Sequence, residues 1–150
     1  MHRLKTGDEW VLGTLAKGNA RFGEGSDHDW QAPLGAEEAA LFVADPDTVC
    51  IVAIEIASNN IAGFIYGGVL RRRHTRLNHL YLHELGIDAD HRKSNVGESL
   101  MAAFAGEARA LGIDRGFVIT NEANQQMVRM CTAFGGLRGD GRDVLFILTF

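Results

Sequence analysis

The carboxylate of Glu84 lies inside an otherwise apolar run, Leu80-Tyr81-Leu82-His83-Glu84-Leu85-Gly86-Ile87. A charge placed there is costly unless it has a partner or a task. Desolvation would raise its pKa and match it to the proton of an ammonium group. An ion pair with His79, His83 or an arginine is the alternative. Just beyond, Arg92-Lys93-Ser94-Asn95-Val96-Gly97 leads into a long amphipathic stretch. Backbone N–H groups at a helix start have no intrahelical partner and carry the positive end of the helix dipole. With Arg92 and Lys93 alongside, they form a place for an anion such as a pyrophosphate. Neither a G-x-x-x-x-G-K-[ST] loop nor a three-glycine dinucleotide fingerprint occurs here, and basic residues at a helix start also read as a solvated turn.

His28, within Asp27-His28-Asp29, suits a pH-tuned acid or base, a substrate contact, or an exposed loop histidine. His79 and His83, spaced to share a strand face, lack identifiable further ligands for zinc, so no metal is expected. His83-Glu84 does not begin an H-E-x-x-H motif, because Ile87 stands in the second histidine position.

The chain has 150 residues, 46% hydrophobic and 23% charged, which excludes a disordered chain and fits one domain spanning residues 1–150. A domain of this size buries roughly two thirds of its unfolded surface without help from disulfide or metal. No run reaches the ~18 apolar residues of a membrane span, and no apolar signal segment is read at the start. Cys50 and Cys131 are therefore expected as free thiols in a reducing cytoplasm. A net charge of −4 argues against nucleic-acid binding, and the basic run Arg71 to Arg76 reads as a solvated loop.

A short helix is predicted from Asp8 to about Asn19 with Thr6 or Asp8 as cap, a long acidic loop from Phe22 to Pro33, and a second helix from Gly35 to Ala44. Thr48–Ala57 and Ile61–Leu70 form a hairpin around Ser58-Asn59-Asn60, where Asn tolerates positive φ. Leu77–Ile87 is a third strand. A long helix follows, with Val96, Leu100, Phe104, Ala108 and Leu111 on one stripe and Gly112 as its stop. Then come a short buried strand Gly116–Thr120, a helix from Asn124 to Phe134 and an apolar strand Asp143–Phe150. The strand–helix–strand crossover makes Leu77–Ile87 and Gly116–Thr120 parallel neighbours. The fold class is α/β (α+β), a mixed, mostly antiparallel sheet with helices on both faces. The apolar final strand and exposed sheet edges make a homodimer an expectation.

The stretch Leu85 to Gly97 resembles the acetyl-CoA motif of the GNAT superfamily of N-acetyltransferases. That motif reads strand, turn, then Arg or Gln, two residues, Gly, one residue, Gly or Ala. Arg92 and Gly97 match its ends, and Asn95 stands where the first glycine is usual; Asn tolerates left-handed φ, which would preserve the pyrophosphate nest. Asn124 to Gly135 is similar to the family's Asn-x-x-Ala-x-x-Leu-Tyr-x-x-x-Gly helix, with Cys131 in the tyrosine's place. A narrower resemblance, to type I aminoglycoside 3-N-acetyltransferases, rests on Arg3-Leu4, Arg21-Phe22-Gly23-Glu24, Leu80 to Leu85, Asp90 to Lys93 and Glu107 to Gly112. Those enzymes carry Asp at the position of Glu84 and Tyr at that of Cys131.

The resemblance implies direct acetyl transfer from acetyl-CoA to an aminoglycoside amine, with resistance to the antibiotic as the outcome. Another amine, or a non-catalytic CoA-binding module, is the alternative. Glu84 would be the base. Backbone N–H groups at Leu85, Gly86 and Ile87 would receive the pantetheine amide and thioester oxygen, and Arg92, Lys93, Asn95, Val96, Gly97 and Asn124 would complete the CoA site. Cys131 or water would protonate the departing thiolate; a small buried hydrophobe is the plain reading of Cys131. A polycationic acceptor would need carboxylates such as Glu24, Asp27, Glu122 and Asp143.

Overall fold

The computed structural model describes residues 1–22, 33–73 and 77–139, with the side chains of residues 19 and 20 set aside. The predicted strand Asp143–Phe150 lies outside these residues. The chain forms two compact units, Met1–Ile119 and one beginning at Thr120.

In the first unit a five-stranded sheet runs β1 (His2–Arg3), β2 (Thr48–Ile54), β3 (Ile61–Leu70), β4 (His79–Ile87) and β5 (Gly116–Val118), in that spatial order. All neighbours are antiparallel except β4 and β5, which the crossover through α3 (Val96–Ala110) makes parallel as expected. The β2–β3 hairpin turns through Asn59 at φ +59°. Strand β1 was not anticipated, because two residues carry no periodic signal; its pairing with Ile51 and Val52 comes from tertiary packing.

Strand alternation sorts the core into two layers. Cys50 and Val52 share a face with their cross-strand partners Tyr66 and Phe64. This face packs with Val11 of α1 (Glu9–Lys17) and Val43 of α2 (Ala36–Ala44), together with Leu4 and Phe22. Helix α2 stops where Asp45 turns extended before Pro46, the conformation a following proline favours. On the opposite face, Leu100 and Phe104 of α3 press onto Gly63 and Gly67. A Cβ on Gly63 would stand 3.2 Å from Leu100 Cδ1, and one on Gly67 2.5 Å from Phe104 Cζ, so glycine sets the closeness of helix and sheet. Helix α3 ends short of Leu111, which is exposed, and Gly112 at φ +70° closes it.

The second unit contains α4 (Gln125–Ala133). Asn124 caps it by accepting a hydrogen bond from the Met127 N–H at 3.1 Å, and Gly135 at φ +77° follows its end. No helix among the described residues is long and apolar enough to cross a membrane.

Candidate active site

Strand β4 pairs unequally with its two neighbours. Against β3 it is paired through Ile87, whereas against β5 the pairing runs only from Leu80↔Gly116 to Leu82↔Val118. Beyond Leu82, β4 therefore runs on past the end of its pairing with β5. Alternate backbone groups of an antiparallel strand point away from its partner, so this edge carries N–H and C=O groups that the β4–β5 ladder does not take up. Leu85, Gly86 and Ile87 all lie on it.

Where the pairing with β5 ends, β4 bulges. Tyr66 faces Glu84, while the next residue of β3, Gly67, faces Leu82, leaving His83 as the extra residue. A bulge puts two consecutive side chains on one side of a sheet. His83 and Glu84 accordingly share the Tyr66 side, with His83 Nδ1 3.4 Å from Glu84 Oε1. The imidazole sits between two tyrosines, its centroid 5.2 Å from Tyr66 and 5.7 Å from Tyr81. Burial, with the charge of Glu84 next, raises the Tyr66 hydroxyl, and the same two causes push the Cys50 thiol up to about 12. The sequence contained a sign of this bulge. The inward leucines step by two at Leu80 and Leu82, by three to Leu85, and by two again to Ile87.

Beyond β4 the chain enters a 3-10 turn, Ala89–His91, and then the turn before α3. Asp88, 5% exposed, receives Arg21 Nε at 2.7 Å and Arg21 Nη2 at 3.0 Å; Arg21 also reaches Asp90 at 2.7 Å. Those hydrogen bonds from Arg21 hold the Asp88 carboxyl down to about 2, against the opposing effect of burial. Arg21 belongs to the 3-10 turn Asn19–Phe22 after α1, so the pair ties that segment to the end of β4.

One expectation about the turn is corrected. Asn95 has φ −78° and no left-handed geometry; it is the residue before α3, its carbonyl accepting from Ser99 N–H at 3.0 Å. The Arg92 guanidinium donates to the carbonyls of Ile87 and Arg21, bracing the turn. Lys93 is exposed, Val96 partly buried and Gly97 buried at the start of α3. The unpaired N–H groups of this first helical turn and the exposed Lys93 fit a phosphate-bearing group. Gly86 leaves its space to protein instead of ligand: a Cβ there would strike the Phe64 ring and lie 2.9 Å from Phe22 Cβ. Only its backbone is available to a substrate.

Within the second unit, Glu122 is bridged by Arg138 at 2.7 Å and Asn124 serves as the α4 cap. Cys131 is partly buried, and that burial raises its pKa, making it a weaker acid than an exposed thiol. Glu24, Asp27, His28 and Asp143 lie outside the described residues. No group of three or more metal-ligating side chains occurs among the described residues.

The acetyltransferase (GNAT) family pattern matches residues 19–135, and the chain belongs to that family. No curated protein matches the sequence. Among solved structures, the aminoglycoside acetyltransferase HMB0005 from an uncultured soil metagenomic sample is similar with a TM-score of 0.83 at 14% identity, over 99% of this chain and 97% of that one. The aminoglycoside acetyltransferase meta-AAC0020, also from an uncultured soil metagenomic sample, superposes in its trehalose complex with a TM-score of 0.81 at 17% identity, over 99% and 94%. A ribosomal-protein-alanine N-acetyltransferase from Brucella melitensis biovar Abortus 2308 follows the same fold with a TM-score of 0.70 at 14% identity, over 98% of each chain.

Proposed function

We propose that residues 1–150 act as one cytoplasmic N-acetyltransferase domain that moves acetyl directly from acetyl-CoA to an aminoglycoside amine, in the 3-N manner. The observation that carries the reading is the position of Glu84. Its partly buried carboxylate stands on the bulge immediately before Leu85, Gly86 and Ile87, whose backbone edge is open. Support for the substrate class comes from the fold's likeness to two aminoglycoside acetyltransferases, one of them also solved with sisomicin. The family match runs across the boundary between the two units, which supports treating them as one catalytic domain.

Acetyl-CoA supplies the activated thioester. The protein's part is to deprotonate the amine at Glu84, directly or through water, so that the nitrogen lone pair is free to attack. Backbone N–H groups along Leu85 to Ile87 stabilise negative charge gathering on the acyl oxygen. The turn from Arg92 to Gly97 holds the phosphates. The departing thiolate takes its proton from Cys131 or from water.

The test is free-thiol release from acetyl-CoA with gentamicin, spermidine and a lysine peptide as acceptors, with product masses checked. Gentamicin-dependent release with one added acetyl group is the expected result. Release with another amine alone overturns the aminoglycoside reading, and silence with all acceptors despite CoA binding makes the chain a CoA-binding module. Glu84→Gln is expected to lose on the order of a hundredfold or more in turnover while still binding acetyl-CoA.

A further inference from the structure

We propose that His83 is a proton relay, carrying the proton taken up by Glu84 out to solvent. The inference rests on the reading of Glu84 as the base and adds a second residue to it.

A base that works in every cycle must also be emptied in every cycle. The Glu84 side chain is 20% exposed, whereas that of its neighbour His83 is 47% exposed. The bulge brings these two consecutive residues to the same side of β4, and their side chains meet at 3.4 Å between His83 Nδ1 and Glu84 Oε1. Catalytic contacts are often this long before substrate binds. The imidazole is held on its other sides by Tyr66, in a tilted ring contact, and by Tyr81, edge to face. It therefore has one ring nitrogen toward the carboxylate, while the side chain as a whole retains access to water. Among the described residues, the titratable groups around it are Glu84 and Tyr81 on its own strand and Tyr66 on β3, with buried Cys50 of β2 beside Tyr66.

The transfers balance without any redox step. An N–H bond of the ammonium breaks and an O–H bond forms on Glu84, leaving a neutral amine. The Glu84 O–H bond then breaks as an N–H bond forms at His83 Nδ1, giving imidazolium. Finally the Nε2–H bond breaks toward a water molecule or buffer base, and the neutral ring exchanges its tautomer with solvent. Imidazole is the side chain that performs this exchange near neutral pH.

Thiol release is measured for wild type, His83→Asn and Glu84→Gln at low buffer concentration and with rising imidazole, using the fastest of gentamicin, spermidine and a lysine peptide. His83→Asn is expected to lose roughly tenfold to a hundredfold in kcat with little change in the KM of the amine, and to recover in added imidazole. Glu84→Gln should remain slow at every imidazole concentration. A slow His83→Asn that imidazole does not restore overturns the relay and leaves His83 a positioning residue. A His83→Asn as fast as wild type beside a slow Glu84→Gln overturns the relay and spares the base. If Glu84→Gln is fast, or no acceptor supports release, the base reading fails and the relay with it. His83→Gln serves in parallel should the Asn variant melt early.

Discussion

The Arg92 guanidinium lies 3.1 Å from the carbonyl oxygen of Arg21, while the Arg21 guanidinium grips Asp88 and Asp90 just before Arg92. The two arginines lock the segment after α1 to the turn before α3 from both directions. The Arg92 guanidinium thus braces the backbone of the turn.

Arg92→Ala should therefore act first on stability. Two exposed or half-exposed hydrogen bonds to carbonyls account for about 1 kcal/mol, or a fall in Tm of roughly 2–4 °C in a chain of this size. Thermal melting with and without acetyl-CoA measures it. An unchanged Tm with lost CoA affinity would return the guanidinium to the phosphates.

The Arg21–Asp88 pair makes stability depend on acid. The folded pKa of Asp88 is held below its ordinary value, so the stabilisation is complete above about pH 4 and is lost as pH falls toward 2. Melting curves from neutral pH downward should show this loss in wild type and a shallower decline in Asp88→Asn, which has no such carboxylate to protonate. Equal slopes for both proteins would show that the pair contributes nothing to the acid limb.

Gly86→Ala is expected to destabilise by about 1–3 kcal/mol, because the added methyl meets Phe64 and Phe22, whose rings already touch edge to face at 5.5 Å. Denaturant unfolding reads the loss. A neutral Gly86→Ala with impaired acetyl-CoA binding would mean that the glycine is kept for the ligand.

The two cysteines should differ in reactivity. Cys50 is 4% exposed with its pKa pushed up to about 12, whereas Cys131 is only partly buried. Mild alkylation of the folded protein at pH 8 should label Cys131 and leave Cys50 untouched until the chain is unfolded. Labelling both at equal rates would contradict the burial of Cys50.

Local pattern made much of this fold legible. The Asn-rich hairpin, the stripe of Leu100 and Phe104, the glycine stop at Gly112 and the parallel β4–β5 pair all follow from periodicity, turn chemistry and crossover rules. Less legible were features made by distant partners. Arg21 and Asp88 are 67 positions apart, and nothing local to either announces the pair. The close packing of Gly86 against Phe22 and Phe64 exists only once the turn after α1 and β3 have come together. The bulge was legible in principle, in the slipped spacing from Leu82 to Leu85, because strict alternation alone would put His83 and Glu84 on opposite faces.

The short pairing of β5 has a consequence for the order in which the sheet comes apart. Strands β2, β3 and β4 follow one another as close neighbours in the chain, while β5 returns only after all of α3 and holds β4 through three register pairs. Strand β5 is thus held to β4 by a shorter ladder and a longer closing loop than those joining β2, β3 and β4, and it should open before they do in local unfolding. A substrate lodged against the open edge of β4 would act as the missing length of ladder, so that slowed amide exchange in Gly116–Val118 becomes a gauge of occupancy.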